Sequence, residues 1–215
     1  MRFICFLILV SFSISCSSGR KISAKEVSFA DNIVVAHRGA WKKNSLPENS
    51  IASLKEAIRL KCSGTEFDVR MTADDSLIVN HDPHYNKLLI EQKTYDELEK
   101  FKLSNGEKLP TLREYILAGM ENNTLTQLVC EIKPSATKER GKIIAEKVYQ
   151  LINELNTQHM VGYISFDYDI LKKLVELNPQ LSTQYLEGNK SPEQVKADGI
   201  TGVDYHFNFF KTHPE

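Results

Sequence analysis

Val34 to Ser50, VVAHRGAWKKNSLPENS, sets how the rest of the chain is read. A short apolar run stops abruptly at His37-Arg38, a polar loop follows, and Pro47-Glu48-Asn49-Ser50 opens a helix. Ile51, Leu54, Ala57, Ile58 and Lys61 then recur at helical spacing, with Gly64 ending the unit. An apolar run that short reads as a buried strand. Polar groups at its exit are either a site or a surface turn, and the remaining chain has to decide between them.

The strand–helix unit repeats as a pattern, though not as a sequence repeat. Extended runs are expected at 65–72, 76–80, 127–133, 162–166, 182–186 and 200–205. Helices are expected at 112–120, 138–155 and 168–177, and from Ser191-Pro192-Glu193 onward. Thr111 and Glu114 have the spacing of a capping box, and Pro134 disfavours helical geometry at Lys133. Strands alternating with helices imply a parallel sheet covered by helices. The strands lack polar alternation, which fits burial on both faces.

Within those apolar strands a few charged residues stand out. Residues two apart on a strand share a face, so Glu66 and Asp68 project together, as do Glu131 and Lys133. Buried charges are costly unless paired or bound to a cation. Three carboxylates at two strand ends suit a hard divalent ion, Ca²⁺ or Mg²⁺. Pairing with Arg38, Arg70 or Lys133 is the other reading. If Asp74-Asp75 is the tip of a hairpin, residues 68 and 81 are symmetric about it. His81 then returns beside Asp68, at the mouth of the carboxylate cluster, with Asp82 next to it.

The bulk numbers exclude some classes. The chain has 215 residues, 41% apolar and 26% charged, with a net charge of −1. Those values belong to a globular domain, and nothing in them argues for nucleic acid. The N-terminus differs in kind: Arg2, an apolar run from Phe3 to Val10, then small residues ending at Cys16. That order is a secretory signal, and it is too short to span a bilayer as a helix. It resembles a bacterial lipoprotein signal, although Ser13 stands where such signals usually carry Leu and Ile14 is larger than usual. The resemblance implies residues 1–15 as signal peptide, lipidation at Cys16, a tether over 16–30 and a membrane-anchored, exported domain over 31–215. A cut secretory peptide or an uncut anchor are the alternatives. Cys62 and Cys130 are expected as buried thiols, although an exported protein permits a disulfide.

His37-Arg38-Gly39, Pro47-Glu48-Asn49-Ser50, Glu66-Phe67-Asp68-Val69, His81-Asp82 and Glu131-Ile132-Lys133, in this order and spacing, resemble the glycerophosphodiester phosphodiesterases of the phospholipase-C-like group. Ser165-Phe166-Asp167 falls where that family has its Ser-Phe strand. The resemblance implies a (β/α)₈ TIM-type barrel with its site at the C-terminal ends of the strands. It implies metal ligation by Glu66, Asp68 and Glu131, with His37 and His81 as general base and acid. Arg38 and Lys133 would contact the substrate phosphate, with Glu48 and Asp82 in support. The implied reaction is metal-dependent hydrolysis of a small glycerophosphodiester to sn-glycerol 3-phosphate and an alcohol. A related barrel enzyme acting on lysophospholipid or sphingolipid, and a catalytically dead lipid-anchored remnant, are the other readings. The segment after His81-Asp82 is expected to be compact, without an inserted subdomain.

A full barrel takes about 250 residues. Six barrel strands can be counted here, beginning at residues 33, 65, 127, 162, 182 and 200. The family's later Trp-Thr-Val strand has no counterpart, since the single tryptophan is Trp41. The expectation is therefore an incomplete barrel, truncated at its C-terminus, with unpaired strands at Val35 and Val203 and marginal stability or aggregation as the cost.

Overall fold

The structure, a computed structural model, describes residues 28–212. The expected signal peptide and the lipidation site Cys16 lie outside the described residues. Nine strands and seven helices follow in chain order among them: β1 (Val35–Ala36), α1 (Ile51–Arg59), β2 (Gly64–Met71), β3 (Leu77–Val79), β4 (His84–Tyr85), β5 (Leu88–Leu89), α2 (Tyr95–Leu98) and α3 (Leu112–Met120). The second half runs β6 (Gln127–Ile132), α4 (Lys138–Glu154), β7 (Val161–Ser165), α5 (Tyr168–Leu177), β8 (Thr183–Tyr185), α6 (Pro192–Ala197), β9 (Gly202–Val203) and α7 (Phe207–Thr212).

Local chemistry explains where the helices begin. Ser50 caps α1 through Ser53 N, and Thr111 with Glu114 closes the expected capping box on α3. Asp167 caps α5, while Ser191 and Pro192 start α6. α1 stops at Arg59, short of Lys61, which takes a left-handed backbone (φ +55°) to turn the chain toward β2.

The six main strands pair in the order β1-β2-β6-β7-β8-β9, all parallel, and β3 adds to β2 as an antiparallel hairpin. Each strand–helix unit thus lies beside the one before it. The sheet curls as part of a barrel wall with helices outside, the incomplete (β/α)₈ arrangement expected from the sequence.

The centre is the best-built part. β2 and β6 pair over six residues, and this register sets Asp68 level with Glu131 and Phe67 level with Cys130. Phe67, Val69, Cys130 and Ile132 enter the main apolar core with Tyr115, Ile144, Val148 and Leu171 from the helices. Burying a side chain such as Phe67, which is fully buried, stabilises by roughly 1.5–3 kcal/mol. The opposite face of the same two strands is left to Glu66, Asp68, Glu131 and Lys133. At the ends of the sheet, β1 and β9 are two residues long, and Val34 and Val35 are half exposed. Cys62 and Cys130 are free and buried, as expected.

Two expectations need correction. The β2–β3 hairpin pairs Val69 with Val79 and Met71 with Leu77, so its register is one residue off the symmetric 68/81 match. The tip is Ala73-Asp74-Asp75 rather than a two-residue turn. Asp75 adopts φ +63°, and the Thr72 hydroxyl bonds Asp74 Oδ1 and accepts from Ser76 N. A three-residue loop ending in a left-handed residue has this geometry. Asn80, not His81, therefore lies opposite Asp68, and its N–H donates to the Asp68 carbonyl at 3.0 Å. The second correction concerns β1: the run before His37, expected as a buried strand, is only Val35–Ala36 and is half exposed at Val35. Residues 84–109 carry only short elements. They form β4, β5, a short 3₁₀ turn and α2, and Tyr85, Ile90, Leu98 and Leu109 make a separate apolar cluster with Ile78. The cluster is seated on Ile78, so the segment packs against the hairpin strand β3.

Candidate active site

The site grows from the turn after β1. Arg38 has a left-handed backbone (φ +58°), which is unfavourable for a residue with a side chain. Three hydrogen bonds hold it there. Its N–H donates to Glu66 Oε2 at 2.8 Å, and its carbonyl accepts from Asn49 N at 3.0 Å and Ser53 Oγ at 3.2 Å. Gly39 follows at φ +80°, where a Cβ would collide with Ser53. The His-Arg-Gly order is thus a steric requirement of the turn as well as a chemical one.

The turn aims Arg38 at two carboxylates. Its Nη1 donates to both oxygens of Glu48 at 3.1 Å, and its Nε lies 3.8 Å from Asp68 Oδ2. His37 stays largely exposed, with Nε2 3.9 Å from Glu66 Oε2. Partial burial, then the neighbouring Arg38 charge, hold its imidazole below the ordinary histidine value.

Glu66, Asp68 and Glu131 are buried, and one oxygen of each lies within 4.8 Å of the others. Burial, followed by the Asp68 charge, pushes Glu66 up to about 8, and burial raises Glu131 as well. Lys133 Nζ donates to Glu131 Oε1 at 2.6 Å and lies 3.2 Å from Asp68 Oδ1. Cation pairing does not exhaust the cluster, however. Glu66 Oε1 and Asp68 Oδ1 are buried without a hydrogen bond, the Lys133 contact to the latter being off the hydrogen-bond line. Orphaned buried carboxylate oxygens are expensive. A hard divalent cation fits this donor set, all oxygen and anionic, and would relieve both the orphaned atoms and the mutual repulsion.

His81 comes from the turn beyond β3. Its Nδ1 is 2.8 Å from Asp82 Oδ1, and that bond holds the Asp82 carboxyl below its ordinary value. The charge of His81 is felt at both His37 and Glu131, so the two histidines and the carboxylates share one locality. The residues singled out in the sequence, His37, Arg38, Glu48, Glu66, Asp68, His81, Asp82, Glu131 and Lys133, are therefore brought together at the C-terminal ends of β1, β2 and β6 and the turn above them.

Two residues take parts that the sequence reading does not assign to them. Asn49 is buried at φ +56° and clamps Asp68 twice, donating from Nδ2 to Oδ2 at 2.7 Å and accepting from Asp68 N at 3.1 Å. Arg70 continues the alternation of Glu66 and Asp68, and both of its hydrogen bonds end on the carbonyl of His81. Signals existed for both. Asparagine tolerates left-handed turns, and a third charged residue at spacing two marks the same face.

Comparison with known proteins agrees with this geometry. A profile of the Glycerophosphoryl diester phosphodiesterase family matches residues 37–213. A glycerophosphodiester phosphodiesterase of Caldanaerobacter subterraneus is 31% identical over 161 residues, covering 69% of this chain. The chain spans 64% of that relative's length. A glycerophosphodiester phosphodiesterase crystal structure from Parabacteroides distasonis superposes with TM-score 0.81 at 39% identity, covering 84% of this chain and 75% of that one. A phosphodiesterase from Oleispira antarctica, solved with sn-glycerol-3-phosphate, has the same fold (TM-score 0.71) at 22% identity, covering 84% and 77% of the two chains. With the fold, the strand-end cluster and the matched span in agreement, the chain belongs to the glycerophosphoryl diester phosphodiesterase family.

Proposed function

We propose that this chain hydrolyses glycerophosphodiesters, releasing sn-glycerol 3-phosphate and an alcohol such as choline or ethanolamine, with the help of a divalent cation. The observation that carries the reading is the buried Glu66–Asp68–Glu131 cluster, with two oxygens left without a hydrogen bond beside two histidines and two cationic side chains. The names of its relatives and the product seen in the Oleispira antarctica structure support the substrate class.

A phosphodiester is anionic and resists attack, so its oxygens need neutralising and its leaving alkoxide needs a proton. Glu66, Asp68 and Glu131 would hold Ca²⁺ or Mg²⁺, which when bound withdraws charge from the phosphoryl oxygens. Arg38 and Lys133 bind the remaining phosphate charge, and Glu48 fixes the Arg38 fork. His37, whose imidazole is held below its ordinary value by burial and the Arg38 charge, takes the proton from the attacking hydroxyl, either water, which gives glycerol 3-phosphate directly, or the substrate's own glycerol, which gives a cyclic phosphate that water then opens. His81, its Nδ1 engaged by Asp82, gives a proton from the other ring nitrogen to the departing alcohol.

The lipoprotein-like start adds a location to this proposal: export, with the domain tethered to a membrane through Cys16. Metabolic labelling with palmitate, lost in Cys16→Ser, checks that part.

Activity has a direct test. Purified chain is stripped of metal and given glycerophosphocholine with and without Ca²⁺ or Mg²⁺. Ion-dependent release of glycerol 3-phosphate, lost in His81→Ala, is expected. A folded sample that turns over nothing with either ion sinks the reading.

A further inference from the structure

We propose that Arg70 is a positioning residue for His81, holding the backbone from which the imidazole reaches the leaving group. The inference rests on the reading of His81 as the general acid.

Its basis is the corrected hairpin register. Asp68 and Asn80 make the last bond of the β2–β3 ladder, so His81 is the first residue past it, with no strand partner to fix it. The turn that follows is held carbonyl by carbonyl. Asn80 Nδ2 donates to the Asp82 carbonyl at 2.7 Å, and Ile90 N donates to that of Pro83 at 3.0 Å. The carbonyl of His81 itself accepts from Arg70, through Nε at 2.9 Å and Nη2 at 2.7 Å.

That arrangement is an unusual use of a guanidinium. Arg70 projects from β2 on the face of Glu66 and Asp68, with carboxylates in electrostatic reach, yet both of its hydrogen bonds go to one neutral oxygen. A planar fork with two donors fixes the carbonyl in direction as well as distance, which a lysine cannot match. The other restraint on His81 is weaker. Asp82, which holds the ring, has a side chain 73% exposed and can swing with solvent. The rigid end of the His81 support is therefore Arg70, rooted in the eight-residue strand β2. Displacing a reacting group by about 1 Å can cost roughly 100-fold in rate.

A positioning role makes a particular kinetic signature. If Arg70 acts through the acid, its loss matters only where the leaving group needs a proton. Two diesters of the same glycerol 3-phosphate separate the cases, one releasing choline and one releasing p-nitrophenol, an acidic phenol that departs without protonation. On the choline ester His81→Ala should lose about 10²–10⁴-fold in kcat, and on the nitrophenyl ester much less. Arg70→Ala should show the same pattern at smaller size: about 10–100-fold in kcat on the choline ester, less than about 3-fold on the nitrophenyl ester, and KM near the parent value. Arg70→Lys, which keeps a charged donor but not the planar fork, should recover only a small part of the loss. Equal losses on both esters in Arg70→Ala, a change in KM alone, or no loss at all would each overturn the inference. Equal losses in His81→Ala would instead overturn the acid assignment on which it rests. Should Arg70→Ala lack a cooperative thermal transition, the same ratio in Arg70→Lys and Arg70→Gln decides.

Discussion

The middle of the sheet and its first strand hold the two halves of the site by different means. β2 and β6 share six paired residues, bury one face in the main core and present Asp68 beside Glu131 on the other. β1 has two residues and one neighbour, and half-exposed valines beside it. Yet it delivers His37 and Arg38. Side chains supply the order that the short strand cannot: Glu66 holds the Arg38 N–H, Glu48 its guanidinium, and Asn49 and Ser53 its carbonyl. A carboxylate cluster on rigid strands keeps its repulsion, because it cannot relax apart. A histidine–arginine turn on a weak strand depends on that same cluster for its shape.

This contrast can be broken from the strong side first. Glu131→Gln should cut activity by about 10³-fold or more, since several kcal/mol of charge stabilisation go with the ion. Its thermal midpoint without metal should hold or rise, because one like charge leaves the cluster. Phe67→Ala, which leaves the chemistry untouched and empties the core behind it, should cost about 3–5 kcal/mol in urea denaturation. On the weak side, Glu48→Gln frees the Arg38 fork and should raise KM by about 10-fold with a smaller change in kcat.

Subtler still is the pH dependence of the metal-free protein. Glu66 sits at about 8 in the folded state against an ordinary 4.5. The folded state therefore keeps a proton that the unfolded chain gives up. The stability this contributes is fully present below about pH 4.5 and is lost as pH rises through about 8. With chelator present the thermal midpoint should fall across that window, and Ca²⁺ or Mg²⁺ should flatten the fall. The smallest effect is expected at the edge. Val35→Thr should move stability by less than about 0.5 kcal/mol while slowing any aggregation through the half-exposed strand β1.

How much of this was legible beforehand follows the same division. α3 and α5 were readable, α3 because Thr111–Glu114 announces its start chemically and α5 from its place in the strand–helix alternation. Glu66, Asp68, Glu131 and Lys133 stood out because charges at spacing two on an apolar strand are costly, but spacing alone left metal binding and pairing with Arg38, Arg70 or Lys133 both open. The hairpin register was not readable, since Asp74-Asp75 fits a two-residue tip as well as the end of a three-residue one, and only Asp75 in a left-handed conformation decides. Asn49 and Arg70 were given no such part, because spacing marks the face a residue shares but not that Asn49 grips Asp68 through both side chain and backbone, or that Arg70 grips the carbonyl of His81. The individual elements at 84–109 were not placed, because they are too short to show a period.

The central claim is that the buried carboxylates hold a divalent cation. Calorimetric titration of Ca²⁺ and Mg²⁺ into metal-stripped chain, beside Glu131→Gln, tests it without reference to turnover. A saturable one-site isotherm in the parent, lost or strongly weakened in the variant, is the predicted result. No binding of either ion by folded protein, or equal binding by both proteins, would contradict it.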